Sequence, residues 1–304
     1  MDSQKLSNNV DTYVAPYEDI RFNNKISGYP LLVTIIIPTK DHFKLLRGSL
    51  ISVQRRTTYR SYEILIINNG SEDKRTHQYF EDLKKEKKIE IIDYNHPFNF
   101  SAINNFAVKH AHGDILLFLN NDIEVISPGW LEEMVSYAIK PEVGAVGALL
   151  LYPNDTIQHA GVILGIGGVA GHAYLNWKLE DFKNDKDAFR TQNYAAVTGA
   201  CMAIERKKFE EVGGFDEKHL PVAFNDIDLC LKLRESGYEN LFTPYAQLYH
   251  YESASRGYED TLVKKLRFRR EIHYMRKKWG PILDSDPRYN ENNPGVPSEE
   301  FENS

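Results

Sequence analysis

The sequence predicts an α/β fold in which helices flank a mainly parallel sheet. Apolar runs of strand length lie at 31–38, 62–69 and 115–119, and β-branched residues are frequent in the first two. Continuous runs of this kind are typical of strands that are buried on both faces. Segments of helical length separate the runs, and strands that alternate with helices indicate βαβ units with parallel pairing.

Helices and further strands fill the chain between and beyond these runs. A short strand, IEIIDY, precedes the run at 115–119. After about residue 141 the regular alternation fades into glycine-rich strands and loops, which predicts a mixed second half of the sheet. The predicted helices cover about 42–57, 73–88, 101–112, 206–212, 226–236 and 260–279.

Composition places the chain among ordinary globular proteins. Of its 304 residues, 42% are hydrophobic and 26% are charged, which is enough apolar material for a core. The net charge of −6 argues against nucleic acid as a partner. Cys201 and Cys230 lie in apolar runs and are expected to be reduced core residues. Since MDSQKLSNNVD does not resemble a signal peptide and no apolar run reaches membrane length, we expect a cytoplasmic protein.

Small polar residues follow the predicted strands, at 38–41, 68–71 and 120–122. Any one of these segments could be an ordinary turn, because Asn, Asp, Gly and Ser favour turns. The carboxyl ends of parallel strands meet at one edge of a sheet, so polar segments that converge there favour a ligand site. Asp122 with nearby amide oxygens suits Mg²⁺ or Mn²⁺ held jointly with a phosphate ligand.

The glycine-rich segment GIGGVAG, at 165–171, resembles part of a dinucleotide-binding loop. It lies late in the chain, and the HAYLNW that follows does not open a helix, so the strand–loop–helix context of such a loop is missing. A glycine-rich hairpin or loop is therefore the predicted structure. No GxxxxGK[ST] sequence is present, which excludes a P-loop NTPase.

An ordered set of motifs between about 31 and 257 resembles the family 2 glycosyltransferases with a GT-A fold. The chain is most similar to the branch that assembles bacterial O-antigen and other polysaccharides and that includes rhamnosyltransferases. The motifs are, in order, VTIIIPTKD, EILIINNGSED, FNFSAINNFAVKHAHGDILLFLNND, GAVGALLLYPNDTIQHAGVILG, AVTGACMAI, VGGFDE, FNDIDLCLKL and LYHYESASRG.

The resemblance implies a domain organisation around one GT-A domain at 31–258. Its nucleotide-binding half is expected at 31–125 and its acceptor half, with mixed strands, at 126–258. We expect an N-terminal lead-in at 1–30, a basic amphipathic helix at 259–280 and a loose polar tail at 281–304.

The family's DxD motif corresponds to Asn120-Asn121-Asp122 here, with an amide in place of the first acid. The resemblance implies that Asp122 holds the metal at the donor diphosphate and that Asn120 contacts the ribose or the metal. Asn68 also replaces a common acid, and its amide suits uracil or thymine. Arg256 could reach the diphosphate or be a surface residue. The predicted nucleotide-sugar site comprises Pro38, Thr39, Asp41, Asn68, Ser101, Asn120, Asn121 and Arg256.

The family's catalytic base corresponds to Asp226, at a predicted helix start. A carboxylate held there could take the proton of an acceptor hydroxyl as it attacks the anomeric carbon. The structural alternative is a helix N-cap. Asp228, two residues later, is interpreted as a first-turn partner of the helix dipole.

Other positions complete the predicted site. Some GT-A enzymes use a histidine at the place of His250 as a further metal ligand, and a structural histidine is the alternative. Thr198 and Gly199 would line the acceptor side, where small residues allow close approach. The ring of Trp177 could stack on a sugar or pack in the core.

The last predicted helix interleaves Lys and Arg with apolar residues. It could bind an anionic membrane surface or a lipid-linked diphosphate, and the alternative is a solvated basic face whose apolar side packs on the core.

Together these features predict an inverting, metal-dependent glycosyltransferase. The expected donor is UDP- or dTDP-linked, the acceptor is a glycan or lipid-linked oligosaccharide, and the cofactor is Mg²⁺ or Mn²⁺. The protein could also contact the inner face of the plasma membrane peripherally. The alternatives are a sugar nucleotidyltransferase, which needs a glycine-rich loop that PTKDHFKLL lacks, and a catalytically decayed binding domain.

Overall fold

The computed structural model of the protein describes residues 31–251 and 261–286. In these residues helices pack on a sheet of ten strands, with a separate two-stranded hairpin. The strands are β1 Val33–Thr39, β2 Tyr62–Asn68, β3 Ile89–Asp93, β4 Ile115–Leu119, β5 Ile123–Val125, β6 Val143–Leu151, β7 Ile157–His159, β8 Val162–Leu164, β9 Ala170–His172, β10 Gln192–Tyr194, β11 Cys201–Glu205 and β12 Glu239–His250. The helices are α1 Phe43–Arg56, α2 Lys74–Leu83, α3 Phe100–Val108, α4 Trp130–Ala138, α5 Leu179–Asn184, α6 Arg206–Glu211, α7 Asn225–Glu235 and α8 Leu262–Leu283.

The first half of the sheet is parallel, as predicted. β1 lies at its centre and pairs in parallel with β2 and β4, and β3 continues beyond β2. Alternate residues of β1 enter two different cores, since Ile36 packs into the core that contains α3 and α7, and Ile35 and Ile37 into the one that contains α1 and α4. Burial on both faces explains why the strand is a continuous apolar run.

The second half of the sheet is mixed. β11 lies antiparallel between β4 and β6, and the long strand β12 runs parallel to β6 and antiparallel to β5. Between Thr243 and Gln247 the register of β12 shifts. The shift separates a first part of the strand, which pairs with β6 and β10, from a last part, which pairs with β6 and β5 and reaches the edge where β4 ends.

The glycine-rich segment forms the predicted hairpin. β8 and β9 pair antiparallel, and a single 3-10 turn at 166–168 joins them. Gly165, Gly167 and Gly168 all have positive φ, which residues with a Cβ rarely adopt. A strand–turn–strand geometry offers no helix N-terminus for a pyrophosphate.

Both cysteines are core residues, as predicted. Cys201 and Cys230 are buried and free, and burial raises the pKa of both thiols.

The last helix does not end at 280 but continues through Pro281 to Leu283. Pro281 lies in the last turn, where the missing N–H costs one helical hydrogen bond and interrupts little. In the described ranges no helix is both long and apolar enough to cross a membrane.

Candidate functional site

A cleft of about 640 Å³ lies at the carboxyl edge of the parallel strands. This size is ordinary for a pocket that binds a small molecule. The structure brings most of the predicted site residues to its wall. Those on the wall are Pro38, Thr39, Asp41, Asn120, Asn121, Asp122, Thr198, Gly199, Asp226 and His250.

Hydrogen bonds between strand ends hold the β1 and β4 edge of the cleft in shape. The amide of Asn121 donates to the hydroxyl of Thr39 at 2.8 Å. Oδ1 of Asp41 accepts the backbone N–H groups of Glu72 and Asp73, both at 2.7 Å. The carboxylate of Asp41 therefore ties the loop after β1 to the loop after β2, and the turn interpretation is correct for this residue even though it lines the cleft.

Three of the six non-glycine residues with a positive φ in the described part of the chain belong to this cleft. Asp41, His42 and Phe224 all line it and all have a φ between 52° and 59°. Non-glycine residues rarely adopt this left-handed conformation, which costs of order 1 kcal/mol or more per residue and tends to cluster at functional sites.

Asp122 and His250 meet at the centre of the cleft. Nε2 of His250 lies 3.2 Å from Oδ1 of Asp122, and both side chains are almost entirely buried. Antiparallel pairing of β5 with β12 places His250 opposite Ile123, the residue after Asp122. The backbone N–H of Tyr251 also donates to the carbonyl of Asp122 at 3.0 Å, so the two segments are held together next to the site.

The hydrogen bonds of His250 define which ring nitrogen faces Asp122. Nδ1 lies 2.6 Å from Oε1 of Gln158, an acceptor, so Nδ1 carries the proton. Nδ2 of Asn120 lies 3.1 Å from Nε2 and donates to it. Nε2 is therefore the ring nitrogen that faces Asp122 and Asn120, and an outer partner that orients a ring in this way is typical of a ligating histidine.

The distance between these two groups suits a divalent cation. Two ligands at about 2.1 Å from a metal and at right angles are about 3.0 Å apart. The observed separation of 3.2 Å between Nε2 and Oδ1 is close to that value. The donor set of one carboxylate and one imidazole fits Mn²⁺ well and Mg²⁺ less well, because Mg²⁺ prefers oxygen. No group of three or more His, Cys, Asp and Glu able to hold a metal occurs in the described part of the chain.

Asp226 lies in the first turn of α7 with both carboxylate oxygens engaged. Oδ2 accepts the N–H of Gly199 at 2.9 Å, and Oδ1 accepts the N–H of Ile227 at 2.9 Å. The N-cap of α7 is Phe224, which makes no side-chain cap hydrogen bond. The predicted alternative of an N-cap is therefore wrong for Asp226. Its carboxylate instead bridges from α7 to the Thr198–Gly199 turn.

His159 is a second histidine on the cleft wall, and it is fully buried. Nδ1 lies 2.9 Å from the carbonyl of Ala148, and Nε2 accepts the N–H of Thr198 at 3.2 Å. The pKa of His159 is lowered to about 3. Burial of the ring is the largest cause, and the nearby ring of His172 is the next. The ring stays neutral at physiological pH and serves as a fixed support for the Thr198–Gly199 turn.

Predicted residues that the structure does not bring to the wall are Asn68, Ser101 and Trp177. Asn68 donates to Asp93 at 2.7 Å, and its oxygen accepts the N–H of Ser71, so the side chain braces a turn. The hydroxyl of Ser101 is buried and donates to the carbonyl of Leu220 at 2.5 Å. The ring of Trp177 packs edge-on against Tyr174. Arg256 lies outside the described residues.

Asp228 has a different role from the one predicted. It is not a surface partner of the helix dipole but is fully buried. Its Oδ1 accepts from Nζ of Lys278 at 2.6 Å and from Nε1 of Trp279 at 2.8 Å. The carboxylate of Asp228 therefore attaches α8 to α7.

Several residues on the wall were not predicted from the sequence. They include Phe98, Phe100, Gln158 and Phe224, and Lys264 and Arg267 from α8. Gln158 lies in TIQHAG, inside a motif used for the family resemblance, and this was the available signal. For α8 the sequence offered only a basic pattern, which does not indicate where the helix packs.

Comparison with known proteins places the chain in a family. A profile described as glycosyl transferase family 2 matches residues 34–213. An uncharacterised protein of Sinorhizobium fredii is 48% identical over 88% of this chain and 29% of its own length. The O-antigen biosynthesis protein RfbC of Myxococcus xanthus is 43% identical over 78% of this chain and 18% of its own length. The chain thus spans less than a third of either relative.

A more distant relative is the N-acetylglucosaminyl-diphospho-decaprenol L-rhamnosyltransferase of Mycobacterium tuberculosis. It is 26% identical over 47% of this chain and 49% of its own length. Together with the O-antigen relative, it confirms the predicted branch of the family.

Solved structures share the fold. GalNAc-T7, crystallised with UDP, GalNAc and Mn²⁺, matches with a TM-score of 0.65 at 16% identity, over 84% of this chain and 50% of that one. The mannosyltransferase PcManGT of Pyrobaculum calidifontis, in complex with GDP-Man and Mn²⁺, matches with a TM-score of 0.59 at 19% identity, over 84% and 69%. These likenesses confirm the GT-A fold. With a profile match over more than half of its length, the chain belongs to glycosyl transferase family 2.

Proposed function

We propose that the protein is an inverting, metal-dependent glycosyltransferase. It transfers a sugar from a UDP- or dTDP-linked donor to a hydroxyl of a growing, lipid-linked glycan. The observation that carries the proposal is that one cleft of a family 2 fold holds the Asp122–His250 pair and the carboxylate of Asp226. The Asp122–His250 pair suits a divalent cation, and the carboxylate of Asp226 can accept a proton. A sugar transfer of this kind needs both.

Asp226 is the base in this proposal. It takes the proton of the acceptor hydroxyl while that oxygen attacks the anomeric carbon and the nucleotide diphosphate leaves. A single displacement of this kind inverts the anomeric configuration. The N–H groups of Gly199 and Ile227 hold the carboxylate in one orientation, so little reorganisation is needed when the acceptor arrives.

Asp122 and His250 would hold Mg²⁺ or Mn²⁺. When bound, the cation stabilises the negative charge of the departing diphosphate. Lys264 and Arg267 line the same cleft from α8 and add positive charge there. Thr198 and Gly199 line the cleft beside Asp226, and these small residues let an acceptor approach its carboxylate.

Donor hydrolysis tests the proposal directly. We expect the purified protein to hydrolyse a UDP- or dTDP-linked sugar slowly with Mn²⁺ and not with a chelator. The panel comprises UDP-glucose, UDP-galactose, UDP-N-acetylglucosamine and dTDP-rhamnose, with GDP-mannose as the comparison, and the products are measured by chromatography. Formation of nucleoside triphosphate and sugar 1-phosphate when pyrophosphate is added, in place of release of nucleoside diphosphate, would indicate a nucleotidyltransferase. No turnover with any donor would favour a binding domain.

We also propose that α8 contacts an anionic membrane near the mouth of the cleft. Leu262 and Val263 are 73% and 77% exposed, and Leu266 is also exposed. Lys265, Arg269 and Arg270 are exposed on the same helix. Apolar residues surrounded by cations are typical of helices that lie on anionic lipid, and this position would bring a lipid-linked acceptor close to the site.

Vesicle sedimentation tests the membrane contact. We expect binding to phosphatidylserine-containing vesicles that weakens as salt rises, and little binding to neutral vesicles. Replacing Lys265, Arg269 and Arg270 by Gln should weaken binding roughly a hundredfold, because each of the three cations near the surface contributes about 1 kcal/mol. The control is the replacement by Gln of three exposed lysines that follow α2, which makes the same change of charge. These lysines are Lys84, Lys85 and Lys87. Equal losses in both triple variants would exclude a specific role for α8.

A further inference from the structure

Helix α8 packs across the loop that leads to the proposed base. This loop, 216–224, ends where α7 begins, two residues before Asp226. The hydroxyl of Tyr274 donates to Oδ2 of Asp216 at 2.7 Å, and the ring of Tyr274 stacks on His219 at 4.4 Å. Nearer to the base, the ring of Phe268 stacks on Phe224 at 5.3 Å. The helix therefore contacts both ends of the loop.

Glu271 makes the most specific of these contacts. Its Oε1 accepts the backbone N–H of Val222 at 2.9 Å and that of Ala223 at 3.1 Å. The side chain is 1% exposed, and burial raises its pKa. Oε2 lies 3.4 Å from Nε of Arg267, one turn earlier on α8. A buried carboxylate is costly to keep unless it is paired and hydrogen-bonded, and this one is both.

The N-cap residue of α7 has no side chain that could hold the Val222–Ala223 peptide as Glu271 does. Phe224 is the N-cap residue, makes no side-chain cap bond and has a φ of 59°. Asn225 closes a local turn by donating to the carbonyl of Val222 at 2.8 Å. On the opposite side, Ser101 binds the carbonyl of Leu220 at 2.5 Å. The loop is thus held from one side by α3 and from the other by Glu271.

We propose that Glu271 is a positioning residue for the base: its carboxylate holds the Val222–Ala223 peptide, and with it the left-handed turn at Phe224, so that Asp226 faces the acceptor. The proposal rests on the function proposed for Asp226. It extends the active site to α8, which lies beyond the residues that the family profile matches.

The variants separate positioning from general support. In Glu271→Ala the N–H groups of Val222 and Ala223 lose their acceptor. In Glu271→Gln, Oε1 can still accept both N–H groups. The amide nitrogen then takes the place of the oxygen that faces Arg267. We expect Glu271→Ala to lower kcat for hydrolysis of the best panel donor roughly tenfold to a hundredfold, because a small misplacement of a reacting group has such effects. The KM for the donor should change less than twofold, and Glu271→Gln should restore most of the activity.

Hydrogen exchange supplies a measurement that does not depend on turnover. Exchange in the peptide that covers 216–227 should be faster in Glu271→Ala than in the wild type and close to the wild type in Glu271→Gln. Exchange in the peptide that covers 115–125 should stay the same in both. Glu271→Asp, whose shorter side chain cannot reach both N–H groups, takes the place of the alanine variant if that variant does not fold. Unchanged exchange in the loop would overturn the proposal.

A double-mutant cycle shows whether Glu271 acts through Asp226. In the Asp226→Asn background, Glu271→Ala should cause little further loss of activity, because the group that it positions no longer accepts a proton. An equal loss in both backgrounds would overturn the positioning role and leave the base assignment intact. Near-wild-type turnover of Asp226→Asn alone would instead refute the proposed base.

Discussion

Replacing Asp226 by Asn is expected to lower sugar transfer and donor hydrolysis by roughly two to four orders of magnitude, the usual contribution of a general base. Asn keeps the size of the side chain and removes the group that accepts the proton. Binding of Mn²⁺ with UDP or dTDP, measured by calorimetry, should stay near the wild-type value, because the proposed cation ligands are Asp122 and His250.

The structure adds a cost in stability to this expectation. Both oxygens of Asp226 accept backbone N–H groups, and Asn has one acceptor oxygen for the two donors. We expect a loss of about 1–3 kcal/mol in the free energy of unfolding, since one partly buried N–H loses its acceptor. Activities should therefore be compared well below the unfolding temperature of the variant.

The control for this experiment is Glu235→Gln, which removes an exposed carboxylate at the far end of the same helix. It should keep both stability and activity. Asp228→Asn is not a suitable control, because Asp228 is buried against Lys278 and Trp279. We expect that variant to be destabilised whether or not Asp228 affects catalysis. Near-wild-type transfer by Asp226→Asn would exclude Asp226 as the base.

Replacing Asp122 by Ala is expected to abolish Mn²⁺-dependent binding of UDP or dTDP and to leave the fold intact. The carboxylate supplies the negative charge of the proposed cation site, and without it the imidazole of His250 remains as a single weak ligand. Asp122→Asn should have nearly the same effect while it preserves the shape of the side chain. Calorimetry with and without Mn²⁺ measures the loss, and circular dichroism checks the fold.

The matched control is Glu124→Gln, on β5 two residues after Asp122. Glu124 pairs with Arg56 at 3.5 Å and accepts from the hydroxyl of Tyr251 at 2.9 Å, at a partly exposed position. It should bind nucleotide and Mn²⁺ as the wild type does. Unchanged Mn²⁺-dependent affinity in both Asp122 variants would remove Asp122 from the proposed site.

The sequence predicted the parallel half of the sheet and the polar residues at its carboxyl edge well, because the signals there are local. Strands such as β1 are buried on both faces, and this burial is visible as a continuous apolar run. Each strand ends where polar residues begin, and parallel strands bring those ends together. Asp122 and Asp226 were therefore found from position and motif alone, and both line the cleft.

Roles that depend on packing between distant segments were predicted less well. Ser101 and Asn68 stand in the right motifs, but their side chains brace loops under the wall and do not form it. Asp228 looked like an exposed first-turn acid because a helix start is a common place for one. Its burial comes from α8, about fifty residues further along the chain, which covers that face of α7.

The sequence by itself determined the fold class, the family and the two carboxylates to which the proposed chemistry is assigned. The tertiary structure alone decided their surroundings. The antiparallel register of β5 and β12 sets His250 beside Asp122, and the packing of α8 brings Glu271, Lys264 and Arg267 to the loop and the cleft. The reason is physical: periodicity and turn chemistry act over a few neighbouring residues, whereas long-range register and helix packing are set by the total burial of both cores.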